Sequence, residues 1–221
     1  MSLIYLASLL VFLLLSHLFL TKSFSYFIHR HGGKRSHAIT IWSIFFLPGT
    51  ILHEGSHFLA AVFSGARTGK ISVLPEFLSE DDGGPVTLGF LETQQLNPIQ
   101  GFFVGLAPLF IGLTSTSFLV YFLTHTINQN HIYLSLLLSY LFFVISNSMF
   151  PSWPDIKQTL SLIVIFILIT LISLYFGFKL PEIQSNKQFE EYLNYANYSL
   201  VISTSLNLLI GAIFKIFSKR P

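Results

Sequence analysis

Two histidines and a glutamate sit within little more than one helical turn of an otherwise apolar run, I-L-H-E-G-S-H-F-L-A-A over residues 51–61. An acidic residue at the centre of a membrane helix costs roughly 2.5–3.5 kcal/mol on insertion scales, so an ionisable group placed there signals function. The spacing narrows the chemistry. His53 and His57 are i and i+4, so their imidazoles leave one helix face and can grip a single metal ion. Glu54, three residues before His57, lies within reach of a water on that ion. Zinc accepts neutral nitrogen ligands and, when one position stays open, brings the pKa of its water to about 7. In a soluble chain a pattern of three fixed positions in five recurs by chance. In a membrane helix the same three groups, left unused, would only oppose insertion.

The composition demands a membrane. The chain is 52% hydrophobic and 10% charged, with a mean hydropathy of +0.66, far from the roughly 25% charged residues of an ordinary soluble domain. Twelve basic against ten acidic residues leave a net charge of +2, which implies no nucleic-acid partner. There is no cysteine, so disulfides and thiolate metal sites are excluded and any metal must be held by histidine and carboxylate.

The apolar segments that must position the motif divide the chain into an all-α polytopic fold of about six transmembrane helices, with a small β-hairpin inserted after the second. Residues 2–20 form the first span, and 22–37 a basic loop holding Lys22, Arg30, Lys34 and Arg35. His29, His31 and His37 of that loop lack an acidic partner, so a solvated segment touching headgroups accounts for them. Residues 38–65 form the second span, whose Pro48 and Gly49 are placed to kink the helix one turn before the motif. Residues 70–96 read as two strands joined by the acidic turn E-D-D-G-G-P at 80–85. The third span covers 97–122, where Gly101 and Gly105 make a small-xxx-small pair for close helix packing. The fourth covers 131–149 and ends in a polar, proline-bearing stretch; the fifth covers 158–178 and the sixth 195–217, after a polar segment at 179–194. These spans group as 1–37, a first helix with its loop; 38–157, a core that includes the hairpin; and 158–221, two C-terminal helices.

Crossings can be counted. The second and fourth spans run in the same direction, so His53, His57 and Asp155 emerge on one side of the membrane. Asp155 is then positioned as a third metal ligand, with capping of the fifth span as a compatible second role. If Asp155 is not a ligand, Glu76, Glu80 and Asp81 of the hairpin are the acidic residues left to serve.

Together, His53-Glu54-x-x-His57 in a membrane helix, a following hairpin, a Gly/Pro-bearing helix, and Asn147 eight residues before Asp155 resemble the site-2 protease family of intramembrane zinc metalloproteases, over roughly residues 41–157. The resemblance implies a Zn2+ ion on His53, His57 and Asp155, Glu54 as the base, and Asn147 holding the substrate or its oxyanion. It also implies a membrane-protein substrate and a metal end facing the cytosol, an orientation that charge leaves open at six basic residues on each side. The chain departs from the family in three places: Pro151 stands one place later than usual after Asn147, Ile156 replaces a glycine, and Ala107-Pro108 replaces Gly-Pro. There is also no PDZ domain. A divergent branch is implied, whose substrate need not be a membrane-bound transcription regulator. A membrane metalloenzyme acting on lipid or a small molecule, and a catalytically silent metal-binding scaffold, are the other classes open to these residues.

Overall fold

The computed structural model describes residues 3–77, 86–87, 89–129, 131–177 and 187–218. Seven helices account for most of them: α1 (Leu3–Arg30), α2 (Arg35–Phe45), α3 (Leu47–Phe63), α4 (Pro98–Asn128), α5 (Ile132–Ser148), α6 (Trp153–Tyr175) and α7 (Lys187–Ser218). Between α3 and α4 lie four short strands, β1 (Thr68–Ser72), β2 (Glu76–Phe77), β3 (Val86–Thr87) and β4 (Phe90–Thr93). The acidic turn at 80–85, with Glu80 and Asp81, lies outside the described residues, as do Lys179, Lys219 and Arg220.

Four helices, α1, α4, α6 and α7, are long and apolar enough to cross a membrane. The others are shorter. The expected second span is cut in two at Phe46, which ends α2 and begins α3. Pro48 lies in the first turn of α3, where a missing N–H costs nothing because that turn has no intrahelical acceptor for it. The expected kink is thus a helix boundary. α5 has only 17 residues.

Several boundaries differ from those the sequence suggests. α1 continues to Arg30, so the first half of the expected basic loop is helix. α6 starts at Trp153, five residues early, because Ser152 and Asp155 form a capping box. α7 starts at Lys187, so the polar residues 187–194 are its first turns, and Glu190 and Glu191 belong to a helix as well.

The hairpin is two nested antiparallel pairs, β1 with β4 (Ile71 opposite Leu91) and β2 with β3 (Glu76 opposite Thr87). The buried apolar core joins α1, α4, α7 and the segment after α5 through Leu13, Leu113, Leu200, Ala196 and Met149. α6 behaves oppositely: only 6% of its apolar window is buried, which is compatible with a helix that faces lipid.

α4 is the helix on which the site depends, since α3, α5, α6 and α7 all pack against it. Its glycines let α6 come close. A Cβ on Gly105 would lie 2.6 Å from the Asp155 carbonyl oxygen, and one on Gly101 2.8 Å from that of Gln158. Gly105→Leu should therefore push the start of α6 outward and carry Asp155 away from the histidines, at about 1–3 kcal/mol of overpacking. Metal analysis and thermal unfolding should both register the change; full metal content in the variant would show that Asp155 does not need this contact.

Candidate metal centre

The two histidines are oriented by carbonyls that helix geometry leaves without partners. His53 Nδ1 lies 2.6 Å from the carbonyl oxygen of Ser148, the last residue of α5. The last four carbonyls of a helix have no intrahelical donor, so that oxygen is available. His57 Nδ1 lies 2.8 Å from the carbonyl oxygen of Val104, in the second turn of α4. Four residues on, Pro108 sits inside the helix. Having no N–H, it cannot make the i→i−4 bond that would occupy Val104. The imidazole takes the place of the missing amide.

A carbonyl can only accept, so both Nδ1 atoms carry hydrogen and both Nε2 atoms of the neutral rings are bare lone pairs. These Nε2 atoms are 3.2 Å apart. The Asp155 carboxylate faces them, Oδ1 at 3.5 Å from His57 Nε2 and Oδ2 at 4.0 Å from that of His53. Ligand atoms from the three residues all lie within 4.8 Å of one another. With both rings neutral, these three electron-rich groups repel one another unless a positive charge, a metal ion or a proton, sits among them. Two nitrogens and one carboxylate oxygen suit a divalent ion of the zinc type, and bonds from the far ring nitrogens to carbonyls are the usual outer support of metal-binding histidines. The donor set thus fits a metal.

Asp155 also caps the start of α6. Its Oδ2 accepts from the Ser152 backbone N–H at 2.7 Å and from the Ser152 hydroxyl at 2.5 Å. Ser152 is the N-cap, and Asp155 is the third helical residue of the capping box. The bonds to Ser152 fix the carboxylate while Oδ1 keeps its direction toward the histidines.

Glu54 is 7% exposed and makes no hydrogen bond among the described residues. It is covered by the start of β4: a Cβ on Gly89 would come 2.8 Å from Glu54 Oε1. A side chain at position 89 would require the Glu54 carboxylate to shift. Histidines, Asp155, Glu54 and the β4 residues Phe90, Leu91 and Thr93 line a single open cavity of about 540 Å³, within the usual range of ligand sites.

Asn147 lines the same cavity, on the wall formed by α5. It is 4% exposed, and its amide is bonded on both sides: Oδ1 to His17 at 3.0 Å and Asn207 at 2.8 Å, Nδ2 to the Phe143 carbonyl at 2.9 Å. Asn207 also donates to the Ser16 hydroxyl at 3.2 Å. His17, Ser16 and Asn207 escape a reading based on span hydropathy. The available signal was that His17 is an ionisable residue in the middle of an apolar span. His29 and His31 lie at the end of α1 and beyond it, away from the triad, and Glu76 sits on β2.

If Pro108 shapes the site as described, Pro108→Ala should supply a backbone N–H that competes with His57 for the Val104 carbonyl. Metal affinity should then fall about tenfold, the lower end of the effect of losing an outer support. Competition with a chelator of known affinity measures this, and an unchanged affinity would contradict the role given to the freed carbonyl.

No protein-family model, no curated protein and no solved structure matches the chain.

Proposed function

We propose that the chain is an integral membrane zinc metalloprotease that hydrolyses peptide bonds of membrane-embedded or membrane-adjacent proteins. The observation that carries the reading is the convergence of two imidazole nitrogens and a carboxylate beside a buried glutamate, in a cavity open to a strand edge. Six crossings follow if α2 and α3 act as one broken span and α5, at the lower length limit, crosses as well. The metal end faces the cytosol on this reading, as the resemblance to site-2 proteases implies.

His53, His57 and Asp155 would hold the ion, which when bound lowers the pKa of a coordinated water and polarises the scissile carbonyl. Glu54 takes the proton from the attacking water and returns it to the leaving amine. Its burial under Gly89 keeps bulk water from competing for that proton. Asn147 gives one amide hydrogen to Phe143 and keeps the other for the substrate oxygen, with Oδ1 fixed by His17 and Asn207. A helical substrate must unwind locally, since its carbonyls are paired. The cavity side of β4 offers an edge along which the unwound segment can lie.

The test is cleavage of co-expressed single-span membrane proteins. Wild-type protein should cut at least one of them, lose that activity on chelation, and regain it with zinc. Cleavage that persists in chelated protein stripped of metal would contradict the metal mechanism.

A further inference from the structure

One end of the cavity is built differently from the metal centre. α1 supplies His17, α2 supplies Trp42, Phe46 lies at the α2–α3 break, and Phe150 follows α5. The His17 ring centroid is 6.5 Å from Trp42, edge-on, and 6.4 Å from Phe150. Trp42 in turn stacks on Phe46 at 4.3 Å.

The hydrogen bonds decide which atom of His17 can serve a ligand. The Phe143 carbonyl only accepts, so the Asn147 amide atom 2.9 Å from it must be the donor Nδ2. The other amide atom is then the acceptor Oδ1, which obliges His17 Nδ1 to carry the hydrogen. The opposite ring nitrogen, Nε2, keeps its lone pair. Nothing donates to it among the described residues.

An unmet acceptor on a partly buried ring favours a ligand that brings a donor, because a purely apolar ligand would desolvate it without return. Flat aromatic walls favour a flat apolar body. A phenol has both. We propose that this end of the cavity is a substrate subsite for a tyrosine-type side chain, with His17 as the positioning residue whose Nε2 accepts from the hydroxyl. The proposal rests on the reading that the cavity binds protein substrates. Phe46 precedes His53 by seven residues, about 10 Å along a helix, or about three residues of an extended chain. The preferred tyrosine should therefore lie about two to four residues from the scissile bond.

The test needs neither metal nor turnover, so its failure is separable from failure of the protease reading. The chain has two tryptophans, Trp42 and Trp153, and Trp153→Phe leaves Trp42 as the only reporter. In that full-length background, 4-iodophenol and 4-iodoanisole are titrated as fluorescence quenchers; they share a ring and a heavy atom, and only the phenol can donate. The phenol should quench saturably at a concentration at least fivefold lower than the anisole. His17→Phe should bring the two within twofold, and His17→Gln, whose amide can donate to Asn147 and still accept, should restore at least half of the preference. Equal quenching by the two probes in the parent overturns the subsite even if His17→Phe does not fold, and so does a preference that survives in a folded His17→Phe protein.

Discussion

Glu54→Gln should leave the metal bound and the helices intact while lowering turnover by about 10²- to 10⁴-fold, the usual contribution of a positioned acid–base group. The amide keeps the shape of the carboxylate, so the close passage of Gly89 over residue 54 is preserved. No hydrogen bond of Glu54 is lost, since it makes none among the described residues. The three groups that converge are His53, His57 and Asp155, so metal content should not change. What disappears is the capacity to accept a proton. Metal analysis and a cleavage assay on one preparation separate the outcomes: loss of metal would move Glu54 into the ligand set, and undiminished cleavage would remove it from the chemistry.

The second large effect belongs to Asp155→Asn, with the opposite signature. The amide oxygen can still accept from Ser152, which preserves the capping box at the start of α6. The amide nitrogen then turns toward the histidines and can donate to His57 Nε2, in place of the carboxylate oxygen now 3.5 Å away. The site becomes satisfied without a cation. Metal affinity should fall on the order of a hundredfold or more, with activity lost in parallel and the fold retained. Full metal occupancy in this variant would take Asp155 out of the ligand set and return attention to the acidic residues of the hairpin.

The candidate triad could be read in the sequence because its determinants are local or follow from counting. The His53 and His57 spacing is a property of one helix, and counting apolar segments anticipated that Asp155 would lie beside them. The hairpin after α3 was legible from its turn residues and β-branched flanks. Helix starts were less so: residues 187–194 are polar yet helical, because a helix projecting beyond an apolar layer need not be apolar. The supports of the ligands were hidden for another reason. Bonds to the carbonyls of Val104 and Ser148 involve backbone atoms, which every residue carries, so sequence shows them only indirectly. Pro108 was one such indirect sign, since it frees the carbonyl four residues earlier. The Asn147 network joins α1, α5 and α7 across 130 residues of sequence in one bond and 60 in another, and no local pattern announces it.

The central claim is that this cavity cleaves proteins, and trapping tests it most directly. Glu54→Gln protein, purified from cells alongside the wild type, should carry uncut membrane proteins that the wild type releases as fragments, each cut near a locally unwound membrane segment. If the variant retains its metal, carries no such protein and supports undiminished function in the cell, the metal centre does not serve proteolysis.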